Sequence, residues 1–278
     1  MQSSGRLNQT SNPTSSPPGE LTGRVAWVTG GSRGIGRAIA LTLAGHGAAV
    51  AVGARNMQAL ESLCSEIEGL GGNCLAKSLD VRDGDSVEAF AQAVTDRLGT
   101  PDILVNNAGI YKTEPVRGHS LDVWQEIIDV NLTGALLTSR SALDGMIEKG
   151  WGRIINISSI SGKAGEAFGA AYCASKFGLI GLSQSLALEV ARYGITVNAV
   201  CPGWVSTDMS IEQLTDERWC RLNSLEPAQS QEIARLSVPQ ERFISPEEVA
   251  QLVAYLCTDF ARGITGQAMN ICGGMVLH

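Results

Sequence analysis

Short apolar runs alternate along the chain with longer segments whose apolar residues recur at helical spacing. The first run is RVAWVT, beginning at Arg24, and it is followed by a helical segment over about 34–46, the run AAVAVG and a helical segment over about 56–70. Alternation of this kind is typical of βαβ units, in which a helix joins consecutive parallel strands. The pattern therefore predicts an α/β protein.

The same rhythm continues through most of the chain. Further strands are predicted at NCLAKSL, ILVNN, RIINIS, ITVNAV and QAMNI, and further helices from about 85, over about 121–147 and over about 168–192. The runs VAWV and ILV are apolar throughout, as expected for strands that helices cover on both faces of a sheet. We predict a single-domain, doubly wound parallel sheet with the seven strands named above.

Two segments depart from this rhythm. Residues 1–20 are rich in Ser, Asn and Pro and lack the apolar core of a signal peptide, so we predict a disordered tail ahead of a domain over 21–278. Residues 206–240 are polar, with Met209, Trp219 and Leu225 interspersed. Irregular segments of this length are usually functional, so we interpret this stretch as a substrate lid or an insertion.

The composition narrows the range of partners. The net charge of −7 and the lack of a basic run argue against nucleic acid or an anionic membrane. No apolar run approaches the roughly 20 residues that span a bilayer. We therefore expect a cytoplasmic protein with small-molecule partners.

The cysteines and histidines show no metal-binding pattern. The seven cysteines are scattered without a C-x-x-C pair, and the three histidines lie far apart. We interpret all of the cysteines as thiols in a reducing compartment, and we expect no metal site.

A glycine-rich turn with the spacing G-x-x-x-G-x-G joins the first strand to the first helix. Glycines in such a turn let backbone N–H groups at the helix start approach a pyrophosphate, which the helix dipole also favours. Turn geometry alone is the competing interpretation, but the position between a strand and a helix favours a nucleotide. The residues expected to contact the cofactor here are Gly30, Ser32, Arg33, Gly34, Ile35 and Gly36.

The end of the second strand indicates which dinucleotide binds. A dinucleotide fold that prefers NAD places an acid there for the ribose 2′-hydroxyl, whereas this chain has Ala54 followed by Arg55. Arg55, with Arg33 in the glycine turn, would attract a 2′-phosphate, so we predict NADP(H). Solvated surface arginines are the alternative. Asp80, after the third strand, is a candidate acceptor for the adenine amino group, although it would equally suit a helix cap.

Tyr172 and Lys176 are four residues apart in a predicted helix, so they share one face. A nearby ammonium stabilises a phenolate, which suits a tyrosine that acts as an acid or base near neutral pH. Such a pair also arises by chance on a surface. However, Ser159 lies thirteen residues upstream at the carboxyl end of a predicted strand, the edge where open α/β sheets bind ligands. Its hydroxyl could hold a substrate carbonyl oxygen beside the tyrosine.

From about residue 21 onward, the sequence resembles the short-chain dehydrogenase/reductase family. The resemblance implies a Rossmann sandwich and oxidoreductase activity on a carbonyl or secondary alcohol. The matching segments, in order, are TGGSRGIG (29–36), Asp80–Val81, NNAG (106–109), Asn131 in VNLTG, Ser159 in ISSISG, YCASK (172–176) and PGWVST (202–207).

The family resemblance also implies a role for each catalytic residue. Tyr172 would be the acid/base, and Ser159 would polarise the carbonyl. Lys176 would bind the nicotinamide ribose and lower the pKa of the tyrosine, and Asn131 would hold a water that relays protons to the lysine; a kink in the middle of a helix is the alternative for Asn131. The further cofactor contacts that the resemblance implies are Asp80, Val81, Asn107, Ala108, Gly109, Tyr172, Lys176, Pro202, Gly203, Val205 and Thr207.

Several phrases, among them GRIINISSISGKAG and the ending ICGG, are similar to bacterial 3-oxoacyl reductases and aromatic polyketide ketoreductases. They favour a 3-oxoacyl thioester or related β-ketone as substrate. Reductases of that group dock an acidic acyl carrier protein through arginines, but the corresponding residues here are Gly150 and Tyr193. Lys149 and Arg153 lie nearby, yet the net charge of −7 would not attract an acidic protein, so a carrier partner is not favoured.

The substrate pocket is expected where the catalytic residues and the lid meet. Its predicted lining residues are Ser159, Ser161, Phe168, Tyr172, Trp204 and Met209. The tryptophans and Met209 indicate an apolar and bulky substrate, although each would equally suit the core or a subunit contact.

Two other functions are compatible with these motifs. One is an NADP-dependent dehydrogenase of a cyclic, sugar or steroid-like alcohol, and the other is a non-catalytic NADP-sensing regulator. The presence of both Tyr172 and Lys176 favours an enzyme over a sensor. The family resemblance also implies a homotetramer, assembled through the two long helices and the last strand.

Overall fold

The computed structural model describes residues 20–278. Its core is a sheet of seven strands in the order β3-β2-β1-β4-β5-β6-β7, and every neighbouring pair is parallel. This confirms the predicted seven-stranded, doubly wound α/β fold. The disordered tail predicted over 1–20 lies, apart from its last residue, outside the described residues.

The elements follow the predicted alternation of strands and helices. The strands are β1 (Val25–Thr29), β2 (Ala49–Ala54), β3 (Cys74–Ser78), β4 (Ile103–Asn106), β5 (Gly152–Ile157), β6 (Ile195–Pro202) and β7 (Ala268–Ile271). The helices are α1 (Gly34–Gly45), α2 (Met57–Gly69), α3 (Gly84–Leu98), α4 (Leu121–Ile128), α5 (Gly134–Lys149), α6 (Ala170–Val190), α7 (Asp208–Thr215), α8 (Glu217–Leu222), α9 (Pro227–Ser237) and α10 (Pro246–Cys257).

The two faces of the sheet carry separate apolar cores, which explains why the strands are apolar throughout. On β1, Val28 belongs to the core that α1, α2 and α10 cover, whereas Trp27 belongs to the core that α3, α5 and α6 cover. Trp27 stacks there on Phe90 of α3, with ring centroids 5.1 Å apart. Because successive side chains of a strand point to opposite faces, both sets are buried.

The strand order reverses between β1 and β4. The chain winds outward from β1 to β3 and then returns to β4 on the other side of β1. The connections at the carboxyl ends of these two strands therefore diverge, and an open α/β sheet forms its ligand crevice at that point.

A buried polar network fixes two helices to the sheet beside this crevice. Asn106 of β4 donates to Asn156 of β5 over 2.9 Å, and Asn156 donates to Ser183 of α6 over 2.8 Å. Thr138 of α5 donates to the side-chain Oδ1 of Asn106 over 2.6 Å. Burying an unpaired polar group costs free energy, so this network favours a single position of α5 and α6 on the sheet.

The long helices differ from the prediction at two places. The helix predicted over 121–147 is divided by a π-helical turn, Asp129–Thr133, between α4 and α5. The helix predicted over 168–192 begins only at Ala170, because Phe168 takes a left-handed backbone conformation with φ of 64° and its carbonyl accepts from the Glu114 amide. Both departures depend on contacts with distant segments, which helical periodicity does not encode.

The cysteine prediction is wrong for one pair, because the structure joins Cys64 and Cys74 in a disulfide. After α2 the chain turns back into β3, and this return brings the two Cα atoms within 5.2 Å. The other five cysteines are free and buried.

Two kinds of site are absent from residues 20–278. No group of three or more His, Cys, Asp or Glu side chains is arranged to hold a metal ion there. In the same residues, no helix has the length and apolar character that a membrane crossing requires.

The close packing of the glycine turn gives a stability prediction. A Cβ at Gly36 would overlap Asn107 Nδ2 and the Gly30 carbonyl oxygen, whereas a Cβ at Gly45, at the other end of α1, meets nothing within 4 Å. We expect Gly36→Ala to lower the free energy of unfolding by about 1–3 kcal/mol. The matched Gly45→Ala should leave it unchanged or raise it by about 0.4–1 kcal/mol. Urea denaturation measures both, and equal stability of the two variants would contradict the packing described here.

Candidate active site

A crevice of about 500 Å³ opens at the carboxyl edge of the sheet, at the reversal of strand order. It brings together residues from both halves of the fold. All of the predicted cofactor residues except Gly36 line it, namely Gly30, Ser32, Arg33, Gly34, Ile35, Arg55, Asp80, Val81, Asn107, Ala108, Gly109, Tyr172, Lys176, Pro202, Gly203, Val205 and Thr207.

The glycine turn is built against the segment that follows β4. Gly30 has φ of +66°, and a Cβ there would lie 2.9 Å from Ala108 Cα, so the position requires glycine on both counts. Asn107 Nδ2 donates to the carbonyls of Thr29 and Gly30, over 3.0 and 3.1 Å. The Thr29 hydroxyl accepts from the amides of Asn107 and Ala108, both over 3.0 Å. These bonds hold the turn open toward the crevice.

The start of α1 fits an anionic ligand. Arg33, the residue before the helix, provides no side-chain cap, and the first turn contains no acidic residue. The unpaired N–H groups of this turn and the positive end of the helix dipole are suited to a pyrophosphate. The residues present therefore fit a dinucleotide, and a nicotinamide cofactor bound here would supply or accept the hydride.

The basic residues at the glycine-turn end of the crevice differ in their contacts. Arg55 follows β2 and lines the crevice. Arg33 Nη1 lies 3.1 Å from Glu212 and 3.8 Å from Asp208, two acids of α7. Asp80 forms an ion pair of 2.6 Å with Arg82, and this hydrogen bond holds the pKa of Asp80 below its ordinary value. Arg33 thus links the glycine turn to α7.

Tyr172 lies in the first turn of α6 and faces the crevice. The ring keeps some exposure, but the surrounding protein removes most water from the phenol, and this burial raises the pKa of Tyr172. The nearby Ser159 hydroxyl opposes that shift, and the negative charge of Glu166 adds to it. The phenol is therefore held in its neutral form, which can donate a proton.

Lys176 lies one helical turn further along α6 and is only 4% exposed. Its Nζ donates to the Ile157 carbonyl at the end of β5 over 2.8 Å, and it lies 5.5 Å from the centroid of the Tyr172 ring. Burial lowers the pKa of Lys176 to about 8, because the ammonium loses hydration. The lysine is therefore still mostly charged at neutral pH and loses its charge at slightly higher pH.

Asn131 lies in the π-helical turn between α4 and α5. Its Oδ1 accepts from the Ile110 amide over 2.9 Å, and its Nδ2 donates to the Ile110 carbonyl over 3.0 Å and to Ser175 Oγ over 3.1 Å. A Cβ at Gly109 would lie 3.5 Å from Asn131 Oδ1 and 3.6 Å from Lys176 Nζ. The Asn131 side chain thus holds the segment after β4 against α6. The π-helical turn lets the side chain reach both.

Ser159 follows β5 in an extended conformation and caps a short 3₁₀ turn. Its Oγ accepts from the Ser161 amide over 3.0 Å, so the hydroxyl is oriented by the backbone. Ser159, Tyr172 and Lys176 all line the crevice. The structure therefore brings these three predicted residues together, with Asn131 in contact with the segment beside them.

The residues predicted to bind the substrate do not all line the crevice. Met209 lines the crevice, and the Ser161 hydroxyl donates to Glu166 over 3.1 Å. Trp204 instead packs on Trp219 and Phe243, with centroids 6.3 and 6.4 Å away, in a small apolar core formed with α7, α8 and α9. Phe168, bonded through its backbone to the loop before α4, does not line the crevice either.

Sequence reasoning missed the acidic residue next to the catalytic group. Glu166 accepts hydrogen bonds from Tyr111, Ser161 and Gln213. These partners lie in the segment after β4, in the 3₁₀ turn and in α7. No local motif marks a carboxylate whose partners come from such separate segments.

Comparison with known proteins agrees with this geometry. The family model described as short chain dehydrogenase matches residues 24–218. The ketoacyl reductase assigned to the monensin polyketide synthase of Streptomyces virginiae is 41% identical over 258 residues, which cover 92% of this chain and 98% of that protein. The 3-oxoacyl-[acyl-carrier-protein] reductase of Synechocystis sp. is 40% identical over 259 residues, covering 92% and 98%.

A solved structure shares the fold at similar identity. The actinorhodin polyketide ketoreductase, crystallised as a variant with NADPH, superposes with a TM-score of 0.87 and 39% identity, covering 92% of this chain and 98% of that one. With the crevice and its tyrosine, lysine and serine, these matches place the chain in the short-chain dehydrogenase/reductase family, as an oxidoreductase that acts on carbonyl or CH–OH groups.

Proposed function

We propose that this protein is an NADPH-dependent ketoreductase that reduces a 3-oxoacyl thioester or related β-ketone to the hydroxy compound. The observation that carries the proposal is the convergence of Tyr172, Lys176 and Ser159 on one crevice, beside a glycine turn suited to a dinucleotide. The names of the relatives, ketoacyl and 3-oxoacyl reductases, support the substrate class.

The protonation of the site favours reduction. A buried neutral phenol is a proton donor, so Tyr172 would protonate the carbonyl oxygen as the hydride reaches the carbon. Ser159 would hold the same oxygen, since its hydroxyl lines the crevice beside the tyrosine. Lys176 would bind the ribose of the cofactor, and Asn131 would keep the segment after β4 in place beside it.

Two basic residues near the positions expected for carrier docking are already engaged. Lys149 Nζ bonds to Asp102 over 3.0 Å and to the Thr100 carbonyl over 2.7 Å. Arg153 is 2% exposed and pairs with Asp259 over 3.0 Å. With Gly150 and Tyr193 in place of arginines, this surface offers little attraction to an acidic carrier. A free thioester or β-ketone is therefore the substrate form we propose.

The proposed preference for NADPH depends on charge at the end of β2. Ala54 leaves no carboxylate there to repel a 2′-phosphate, and Arg55 lines the crevice next to it. Arg33 would supply a second cation from the glycine turn. Guanidinium groups bind phosphate oxygens well because their donors match the phosphate geometry.

The catalytic assignment is tested by removing one oxygen atom. Tyr172→Phe should fold and bind NADPH but lose about 10²–10⁴-fold in turnover, because the proton donor is absent. The measurement is NADPH oxidation against a panel of acetoacetyl thioesters, cyclic ketones and sugars. Retained turnover in the variant would overturn the assignment. Wild-type turnover confined to cyclic ketones or sugars would replace the substrate class, and tight NADPH binding without any turnover would favour a sensor.

The cofactor assignment is tested by neutralising Arg55. Arg55→Ala should raise the KM for NADPH about tenfold or more and leave the KM for NADH nearly unchanged, because only NADPH carries the 2′-phosphate. Arg117→Ala, which removes the same charge from an exposed loop residue, is the control. A wild-type enzyme that uses NADH more than tenfold better would contradict the proposal.

We also propose a homotetramer. Large apolar side chains are exposed on the two long helices, including Leu136 of α5 at 49%, Phe177 of α6 at 47% and Leu188 of α6 at 86%. Such residues are more typical of interfaces than of surfaces in contact with water. Light scattering should give four times the chain mass of 29.3 kDa, and Leu188→Glu should reduce it. Leu70→Glu, at the exposed end of α2, is the matched control, and a monomeric wild-type protein would contradict this assembly.

A further inference from the structure

Three side chains from different segments converge on the carboxylate of Glu166, in the loop before α6. Tyr111 and Gln213 donate to Oε1, both over 2.9 Å, and Ser161 donates to Oε2 over 3.1 Å. The backbone is also held, because the Glu166 amide bonds to Cys173 Sγ over 3.3 Å. The carboxylate is therefore fixed in position.

Glu166 is connected to each catalytic hydroxyl through one intervening residue. Tyr111, which bonds to it, packs edge-on against Tyr172 with ring centroids 5.1 Å apart. Ser161, which also bonds to it, donates its amide to Ser159 Oγ. One residue thus separates the carboxylate from each of the two groups proposed to hold the substrate carbonyl.

The negative charge of Glu166 is not neutralised by a cation. All of its side-chain partners are neutral, and within residues 20–278 it takes part in no salt bridge. The charge acts over distance, since it contributes to the raised pKa of both Tyr111 and Tyr172. A charge in a partly buried site is screened less than one in water.

We propose that Glu166 is a specificity-determining residue, whose fixed and unpaired carboxylate makes the site reject ketones that carry a negative charge close to the reacting carbonyl. The inference rests on the proposed ketoreductase function and narrows it. A neutral thioester or ester of a 3-oxo acid meets no repulsion, whereas the free 3-oxo acid places a second carboxylate next to Glu166. Two like unit charges within about 8 Å of each other in a partly buried site repel by enough to change affinity roughly tenfold.

A purely structural role for the cluster predicts a different outcome. Gln213 belongs to α7, so the bond to Glu166 also ties the lid to the wall of the site. Loosening that tie would affect neutral and anionic substrates alike. The ratio of kcat/KM for a neutral substrate to kcat/KM for an anionic one therefore distinguishes charge repulsion from a purely structural role.

The experiment compares kcat/KM for ethyl acetoacetate and for acetoacetate, with NADPH and the full-length protein. The wild type should prefer the neutral ester, and Glu166→Gln, which keeps the shape and loses the charge, should reduce that preference about tenfold by raising the efficiency with acetoacetate. Glu166→Asp keeps the charge and should keep the preference. Glu61→Gln removes an exposed carboxylate of α2, outside the crevice, and it should change neither efficiency.

The outcomes distinguish this inference from the function on which it rests. An active wild type whose substrate ratio is the same in Glu166→Gln, or a variant that loses both activities in equal proportion, overturns the role of Glu166 and leaves the ketoreductase proposal intact. Loss of the preference in Glu166→Asp would also overturn it. A wild type that oxidises NADPH with neither ketone overturns both proposals.

Discussion

The buried ammonium of Lys176 constrains the rest of the site. Removing an ammonium from water costs several kcal/mol unless other groups replace its hydration, and here the Ile157 carbonyl at the end of β5 does so. The backbone of Lys176 also packs closely on the segment after β5. Ser158 Oγ donates to the Lys176 carbonyl over 3.0 Å, and a Cβ at Gly162 would lie 2.8 Å from that oxygen. Helix α6 therefore cannot shift along β5 without exposing or unpairing the lysine. This constraint also fixes Tyr172, one turn away on the same helix.

The remaining elements hold the opposite wall of the crevice at a fixed distance from α6. The π-helical turn lets Asn131 reach Ile110 and Ser175, which joins the segment after β4 to the catalytic helix. Further from the crevice, Asn106 and Asn156 join α5 and α6 to the sheet. Every one of these contacts satisfies a polar group that burial would otherwise leave unpaired, so the site has a single well-defined arrangement.

The features of the fold and the site that depend on local sequence patterns could be predicted. Alternating periodicity and apolar strands predicted the sheet, and the spacing of Tyr172 and Lys176 placed them on one helical face. The contacts that escaped prediction are those between distant segments. The π-helical turn, the Cys64–Cys74 disulfide and the turned backbone of Phe168 all depend on neighbours far away in sequence. Glu166 was missed for the same reason, since an acidic residue in a loop acquires a role only from what surrounds it.

Burial keeps Tyr172 protonated as the donor beside an ammonium that loses its charge at about pH 8, and the pH dependence of ketone reduction tests this arrangement most directly. Burial raises the pKa of Tyr172 and lowers that of Lys176 to about 8. Lys176 therefore carries its charge below that pH and loses it as the pH rises, while Tyr172 stays protonated. Measured as kcat/KM, which reports groups of the free enzyme, reduction should be constant at acidic to neutral pH and fall through about pH 8. A rate that instead rises with pH over this range would contradict the account.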